Sequence, residues 1–343
     1  MYGVLPTDNV PVLYEADAVV VGGSLSGIAC AVRLARHRLK TVVIEPRTYL
    51  GRELTAALRP WIDLQDTERD SLPELIRYCL EHSGAAGGEL VISGSVPLHP
   101  DRLKISLENL LADHGVDLIY ASLPIGFVGQ AGSIDGLVIG NKSGRQAILC
   151  RYVIDATETA GCARLCGEDV SRYSLGNSAL YFRTLEFTGV DAQELNGDRL
   201  NVPEHIGVLG NTVRFREGIQ GSGHLYAEYS LELESDNRME ANRNREIRAR
   251  HIGFRLAAHL IQNVPAFRKA FLAASSCELH GPFPRGEGTD PFALGRPSGG
   301  RRRGLADGST LKSGVYSLGK SVYRDGCTDL LDPVQACVIG EQA

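Results

Sequence analysis

The sequence has 343 residues, of which 43% are hydrophobic and 22% charged. This composition supports a folded core and excludes a disordered or collagen-like chain. Its 36 lysines and arginines against 41 aspartates and glutamates give a net charge of −5, which excludes a globally basic nucleic-acid binder. At about 150 residues per domain, the length predicts one large α/β domain or two interleaved domains.

Targeting and cysteine patterns indicate a cytoplasmic protein. We find no run of 18 apolar residues that predicts a membrane span, and residues 1–17 lack the basic and apolar regions of a signal peptide. The eight cysteines are scattered, which favours reduced thiols. Cys162 and Cys166 have a spacing that favours packing on one helix face over metal binding, and no metal-site motif is present.

A βαβ unit is predicted after a polar lead-in over residues 1–16. Residues 16–21 form a short apolar run rich in β-branched side chains, which is typical of a buried parallel strand. Residues 22–27 interrupt this run, and residues 28–39 have the apolar spacing of a helix. Residues 41–45 predict a second buried strand that ends in an acid.

The middle of the chain alternates helical and strand patterns. Helices are predicted over 71–82 and 100–114, a strand over 116–121, a β-meander over 125–128, 134–139 and 146–149, and a further strand over 151–157.

The chain changes in character after residue 167. The patterns predict half-exposed strands over 179–188 and 225–233, a long basic amphipathic helix over 237–263, a loop over 284–314, a strand over 315–319 and a helix from Pro333. We therefore expect a nucleotide-binding domain built from residues 1–167 and 291–343, interrupted by a substrate domain over 168–290.

The segment between the first two strands fits a dinucleotide-binding turn. The pattern G-x-G-x-x-G lets the backbone approach a pyrophosphate, and the following helix offers free N–H groups and a positive dipole end. Gly22 and Gly27 occupy the first and third glycine positions, and the small Ser24 occupies the second. Glu45 can accept hydrogen bonds from an adenosine ribose. Since an acid there disfavours the 2′-phosphate of NADP, FAD and NAD remain candidates.

Further motifs follow in chain order. They are V-V-V-G-G-S-L-S-G-I-A over 19–29, V-V-I-E over 42–45, Y-L-G-R over 49–52, V-I-D-A-T over 153–157, a closing strand and turn over 315–320, and the start of a final helix over 334–343. Together they resemble the FAD-dependent oxidoreductase family of the glutathione-reductase-like flavoproteins. The resemblance implies an α/β fold, in which an α+β substrate domain interrupts a Rossmann-like FAD-binding domain with a β-meander. It also implies FAD as the cofactor, which the closing strand and final helix favour over NAD.

The resemblance implies a set of cofactor-binding residues as well. These are Gly22, Gly23, Ser24, Ser26, Gly27, Glu45, Pro46, Arg47, Gly51, Arg52, Ala156, Thr157, Gly319, Asp332 and Val334. Two positions depart from the family's pattern. Glu158 stands where glycine is usual, and Lys320 stands where many relatives have an acid on the ribityl chain.

Chemistry at a flavin needs a positioned substrate and a positive field near the ring. The segment after Glu45 contains candidates for phosphate, flavin or substrate contacts, namely Arg52, Thr55 and Arg59. Both arginines also fit charged residues of a solvated loop. We predict Arg59 and His224 as catalytic residues. Trp61 fits a core position better than a stacking platform.

The sequence therefore predicts an FAD-dependent oxidoreductase of the dehydrogenase or oxidase type, which moves a hydride from a small organic substrate to flavin N5. The alternatives are a flavin-dependent monooxygenase and a non-catalytic flavin-binding subunit. We expect a small-molecule substrate, no nucleic acid and no membrane. A final helix of ~11 residues is short for covering a sheet, which predicts a longer natural chain, a homo-oligomer or a partner chain over that helix.

Overall fold

The computed structural model describes residues 10–64, 72–84, 94–129, 134–167, 177–236, 238–283, 310–312, 315–318 and 333–342. None of the helices in these ranges combines the length and apolar character that a membrane crossing requires.

The strands and helices are numbered here in chain order. They are β1 Val12–Glu15, β2 Ala18–Val21, α1 Leu25–Arg36, β3 Thr41–Ile44, β4 Trp61–Leu64, α2 Glu74–Ser83, β5 Gly94–Pro97, α3 Pro100–Asp113, β6 Asp117–Ile119, β7 Leu123–Val128, β8 Gly136–Asn141, β9 Gly144–Leu149, β10 Tyr152–Asp155, α4 Gly161–Leu165, β11 Ser178–Thr188, β12 Arg199–Asn201, β13 Thr212–Gly218, β14 Gly221–Glu234, α5 Met239–Asn263, β15 Phe271–Ser275, β16 His280–Phe283, β17 Thr310–Lys312, β18 Val315–Ser317 and α6 Pro333–Gln342.

A six-stranded sheet in the order β17-β18-β10-β2-β3-β6 carries the predicted nucleotide turn. Its strands are parallel except for β17. The register places Val21 beside both Ile44 and Asp155, so three strands end together at one edge. Ligands of open parallel sheets bind at this carboxyl edge. The predicted α/β Rossmann-type fold is confirmed.

Two layers cover this sheet, which explains the unbroken apolar runs of its strands. On one face, helices α1, α2, α3 and α6 share a core that includes Val20, Ile28 and Leu107. On the other face, the small sheet β1-β9-β8-β7 packs Leu137 and Ile148 against the central strands.

The second large sheet is antiparallel, in the order β12-β13-β14-β11-β15, with β16 also paired to β11. Helix α5 covers one face, where Leu185 and Tyr229 pack in a core with Leu256. Because side chains alternate along a strand, their neighbours point to the opposite face. There, Tyr226 packs against Leu58 and Trp61 from the N-terminal part of the chain.

The structure corrects several expectations. The predicted polar lead-in contains β1, which pairs in parallel with β9. Helix α1 begins at Leu25 rather than Ile28, because Ser24 caps it. The predicted half-exposed strand over 179–188 is buried on both faces, because α5 and the N-terminal part each cover one face.

Two further expectations concern the chain beyond residue 236. Arg245 of the predicted basic helix is buried and donates to the carbonyl of Glu234 at 2.9 Å, so this arginine lies on the packed side of α5. Most of the predicted loop over 284–314 lies outside the described residues, although Thr310–Lys312 within it forms β17.

Candidate functional site

The glycine turn after β2 is held so closely against β10 that side chains do not fit. Gly22 has φ +109°, and a Cβ there would lie 2.8 Å from the carbonyl oxygen of Ala156. A Cβ at Gly27 would lie 2.1 Å from the carbonyl oxygen of Gly22. The backbone is therefore bare at the predicted pyrophosphate turn.

Ser24 explains how the turn works without its second glycine. Its Oγ accepts the N–H of Gly27 at 3.2 Å and donates to the carbonyl of Ala156 at 3.2 Å. It also lies 3.1 Å from Oγ of Ser26. Ser24 is thus the N-cap of α1, a role in which serine stabilises a helix by about 1 kcal/mol relative to alanine.

Glu45 lies at the end of β3, 2% exposed. Its Oε2 accepts the N–H of Gly23 at 2.7 Å, and its Oε1 accepts the backbone N–H and Nη1 of Arg47, both at 3.0 Å. A carboxylate has about four lone-pair sites, so three donors leave capacity for one hydroxyl. The oriented Glu45 therefore fits the proposed contact with a ribose.

The turn over Ala156 and Thr157 is fixed by Asp155. Oδ1 of Asp155 accepts the N–H and hydroxyl of Thr157 at 3.0 and 2.6 Å, and Oδ2 accepts the N–H groups of Cys162 and Ala163 at the start of α4. Burial raises the pKa of Asp155 although these donors oppose it. The structure therefore places Ala156 and Thr157 against the glycine turn.

The loop after Gly51 joins the parallel sheet to the segment between β15 and β16. Gly51 donates its N–H to the carbonyl of Gly23 at 2.8 Å. Arg52, 8% exposed, donates to the carbonyl of Leu279 at 2.6 Å. The Thr55 hydroxyl donates within the loop, to the carbonyls of Leu50 and Gly51. The predicted ligand contact of Thr55 therefore competes with bonds that hold this loop.

Two arginines and two glutamates form an ion network at this junction. Arg47 lies 2.9 Å from Glu158 and 2.5 Å from Glu278, and Arg52 lies 2.7 Å from Glu158 and 2.9 Å from Glu278. Burial works against ionisation of Glu278, but the hydrogen bond from Arg47 and the charge of Arg52 lower its pKa. The predicted departure at Glu158 thus has a structural role, since a glycine could not pair with these arginines.

Glu53 stands directly at the first turn of α1. Both of its carboxylate oxygens accept the N–H of Leu25 at 3.3 Å. Burial raises the pKa of Glu53 to about 6, opposed by its backbone hydrogen bonds and Arg52. No sequence pattern identified this residue as part of the site. The signal that could have identified it is the position of an acidic residue in the loop after Glu45, where phosphate contacts are predicted.

The C-terminal part of the chain contacts the glycine turn and α1 through Leu318 and α6. Leu318 donates its N–H to the carbonyl of Asp155 at 2.9 Å, next to the glycine turn. Val334 lies in the first turn of α6, and a Cβ at Gly340 would lie 2.2 Å from the carbonyl oxygen of Ser26, so α6 packs closely on α1. The proposed cofactor residues Gly319 and Asp332 lie outside the described residues, as does Lys320.

The inner face of the antiparallel sheet presents buried polar side chains to the N-terminal part. Arg59 pairs with Glu228 at 2.5 Å. The guanidinium groups of Arg59 and Arg216 each lie 5.4 Å from the centre of the Trp61 ring. Trp61 is 3% exposed, which places it in the core, with the two cations stacked against it.

Two hydroxyl groups on this face are unused within the described chain. Those of Thr184 and Ser230 are buried and make no hydrogen bond, and Thr184 lies opposite Glu228 across the two strands. A buried hydroxyl without a partner is costly. Both side chains are 0% exposed, so these hydroxyls are enclosed by the surrounding chain.

His224 and Arg59 do not meet at one point. Nε2 of His224 lies 2.7 Å from Glu186, which also accepts the hydroxyl of Tyr226 at 3.2 Å. Burial and the Glu186 charge raise the pKa of Tyr226. His224 and Glu228, the partner of Arg59, lie four residues apart on β14, about 13 Å along the strand. The two proposed catalytic residues therefore belong to separate pairs on one sheet face.

The profile of the FAD dependent oxidoreductase family matches residues 17–180. This segment runs from the start of β2 into β11 and includes the glycine turn, Glu45 and the 156–157 turn. The match confirms the predicted family resemblance and FAD as the cofactor. No curated protein matches the sequence.

Solved structures with this fold share little sequence with the chain. A geranylgeranyl bacteriochlorophyll reductase-like protein from Thermoplasma acidophilum has a TM-score of 0.56 at 16% identity, over 96% of this chain and 78% of that one. An L-amino acid deaminase from Proteus myxofaciens has a TM-score of 0.50 at 11% identity, over 98% and 89%. The flavin-dependent brominase Bmp2, as a triple mutant, has a TM-score of 0.51 at 11% identity, over 94% and 77%. At such identities the likeness shows the fold alone.

Proposed function

We propose that this chain, matched to the FAD dependent oxidoreductase family through residues 17–180, oxidises a small organic molecule by passing a hydride from a substrate carbon to flavin N5. The observation that carries this proposal is the buried polar face of the antiparallel sheet. This sheet contacts the loop that follows Gly51, because Cys277, just beyond β15, donates its N–H to the carbonyl of Ala56 at 2.9 Å.

Bound FAD supplies a two-electron acceptor for the hydride. Oxidation of a carbon that bears an O–H or N–H also releases a proton, so the chain must provide a group that accepts it. The residues of the sheet face have three tasks: to bind the substrate, to orient its reacting C–H bond and to take up this proton.

Substrate orientation is the proposed task of the Arg59 region. The Arg59–Glu228 pair holds a cation and an anion in fixed positions beside the Trp61 ring. Fixed charges of this kind favour a substrate with polar groups close to its oxidisable carbon.

Proton uptake is the proposed task of Glu186 and His224. The His224 side chain is 5% exposed, whereas that of Glu186 is 18% exposed. We therefore revise the sequence hypothesis. Glu186 is the group that meets the substrate, and His224, held 2.7 Å away, positions its carboxylate and stabilises its charge.

The test is anaerobic reduction of the flavin-loaded protein by a panel of amines, alcohols and hydroxy acids. A dehydrogenase or oxidase loses its oxidised-flavin absorbance with substrate alone. A monooxygenase instead needs a reduced nicotinamide and then consumes oxygen, and a non-catalytic subunit responds to neither. Either of these two outcomes contradicts the proposal.

Glu186→Gln tests the proton acceptor within the same experiment. It should slow flavin reduction by about 10²–10⁴-fold, the usual contribution of a general base. Glu232→Gln is the matched control. It changes a glutamate on the neighbouring strand β14, bonded to Ser178 and about 20 Å along that strand from Tyr226, the residue opposite Glu186. This variant should leave the rate unchanged.

A further inference from the structure

The chain places one of its own carboxylates at the anion-binding end of α1. Both oxygens of Glu53 lie 3.3 Å from the backbone nitrogen of Leu25, the first residue of the helix. The first N–H groups of a helix have no partner within the helix and carry its positive dipole end. Glu53 therefore satisfies a donor that a bound anion would also use.

The same N–H group belongs to the predicted pyrophosphate site. In dinucleotide-binding α/β folds, the pyrophosphate lies over the glycine turn at the start of the first helix. Ser24 already accepts the N–H of Gly27, which leaves the earlier N–H groups of α1 for the phosphate oxygens. The Glu53 carboxylate and the pyrophosphate thus need the same donor, and their negative charges repel each other.

We propose that Glu53 is an internal competitor for the pyrophosphate subsite and sets the affinity of the chain for FAD, which binds to the form with a protonated Glu53. FAD binding consequently takes up a proton at neutral pH. This inference concerns loading of the cofactor, and it holds whichever substrate the enzyme oxidises.

The surroundings of Glu53 decide the direction of the pH dependence. The charged groups that face it are Arg52, from its own loop, and Glu158, from the turn after β10. Arg52 is already shared between Glu158 and Glu278, so it compensates Glu53 only in part. Burial raises the pKa of Glu53 to about 6, and a bound pyrophosphate raises it further. Affinity for FAD is therefore constant below pH 6 and falls as the pH rises.

The test measures the dissociation constant of FAD for the full-length, FAD-stripped protein from pH 5.5 to 8.5 at constant ionic strength, by quenching of flavin fluorescence. The expected dissociation constant rises about tenfold per pH unit above pH 6. Calorimetry at pH 7 in two buffers of different ionisation enthalpy should show proton uptake. If the stripped protein does not remain folded, release of FAD from the holoprotein across the same pH range gives the same slope.

Variants separate Glu53 from other carboxylates. Glu53→Gln should abolish the slope and bind FAD about 100-fold more tightly than the wild type at pH 8. Glu74→Gln is the control, because Glu74 pairs with Arg36 at the opposite end of α1, and it should keep the wild-type slope. Adenosine diphosphate, which contains the pyrophosphate, should show the same pH dependence, whereas adenosine should show none.

Three results would overturn the inference. The first is a wild-type dissociation constant that does not change between pH 6 and 8.5. The second is a Glu53→Gln variant that keeps the slope, and the third is one that binds FAD more weakly than the wild type at pH 8. Each is read from binding, so none depends on whether the proposed oxidation is correct.

Discussion

Arg47 and Glu278, which are 231 positions apart in the chain, form a bidentate ion pair. Nε of Arg47 lies 2.5 Å from Oε1 of Glu278, and Nη2 lies 2.6 Å from Oε2. Arg47 also pairs with Glu45, the acid predicted to contact a ribose. The pair therefore connects the cofactor edge of the parallel sheet directly to the segment that follows β15.

Breaking this pair should destabilise the protein. The side chains of Arg47 and Glu278 are 19% and 24% exposed, so the loss on Arg47→Met should be about 2 kcal/mol, between the values for exposed and buried ion pairs. Urea unfolding of the FAD-free protein measures it. Since the pKa of Glu278 lies below its usual 4.5, the difference from the wild type should persist at neutral pH and shrink as the pH falls below 4.5.

The exposed pair of Arg151 and Asp17 is the matched control. Its N–O distance is also 2.5 Å, but its side chains are 67% and 31% exposed, so Arg151→Met should change the free energy of unfolding little. Equal losses for the two variants would contradict the structural role of the Arg47–Glu278 pair.

Gly22→Val should abolish retention of FAD. The new Cβ would lie 2.8 Å from the carbonyl oxygen of Ala156, in a backbone conformation with φ +109°, so the turn must move away from the cofactor edge. The flavin absorbance of the purified protein, relative to its total protein absorbance, measures retention.

Gly144→Ala separates the strain of a positive φ from the clash of an added Cβ with a neighbouring carbonyl. Gly144 has a similar φ of +100°, but a Cβ added there would meet nothing within 4 Å. The substitution should cost about 1–2 kcal/mol of stability and keep FAD fully bound. A yellow, fully loaded Gly22→Val protein would show that the cofactor does not use this turn.

Ser24 should be replaceable by glycine but not by alanine. Ser24→Ala removes the N-cap of α1 and should cost about 1 kcal/mol, whereas Ser24→Gly restores the strict G-x-G-x-x-G pattern and should cost a few tenths of that. Chemical denaturation of the two variants provides the comparison. Equal stability of the two variants would mean that the 3.2 Å bond to the Gly27 N–H contributes nothing.

Glu53 should also make the FAD-free protein less stable at neutral pH. Its pKa is raised from 4.5 to about 6 on folding, so the folded state favours the protonated carboxyl. The stabilisation that this protonation gives the folded state is complete below pH 4.5 and is lost as the pH rises to about 6. A pKa difference of one unit corresponds to about 1.4 kcal/mol, so the free energy of unfolding falls by about 2 kcal/mol.

Unfolding of Glu53→Gln across pH 4–7 tests this linkage. The variant should match the wild type at pH 4 and exceed its stability at pH 7, because the amide has no charge to bury. A variant that is less stable than the wild type at pH 7 would mean that the ionised carboxylate stabilises α1 more than its burial costs.

The sequence alone determined the nucleotide edge of the parallel sheet. The turn of Gly22, Ser24 and Gly27 was predictable because its requirements are local: a buried strand, a turn without bulky side chains and a helix follow one another within about 20 residues. Glu45 was predictable for the same reason, since it lies at the end of the next strand along the chain.

Sequence patterns were less informative where burial depends on a neighbouring layer. The alternation over 179–188 predicted one exposed face, but α5 and the N-terminal part cover both faces of β11. In β1, a strand of four residues with mostly exposed side chains, no apolar periodicity marks the pairing with β9. An alternating pattern records which side chains are apolar, and it contains no information about what covers the polar ones.

The polar contacts of the candidate site depend on the packing of distant parts of the chain. Glu278 reaches Arg47 and Arg52 across more than 220 positions, and Glu228 reaches Arg59 across 169. Such partners are brought together by the packing of the two large sheets, and an isolated arginine or glutamate in a loop has no local signal that distinguishes a buried pair from a solvated charge. For the same reason, the sequence predicts a pyrophosphate site at the glycine turn, whereas the proposed competition by Glu53 rests on a contact with Leu25 that the fold brings about.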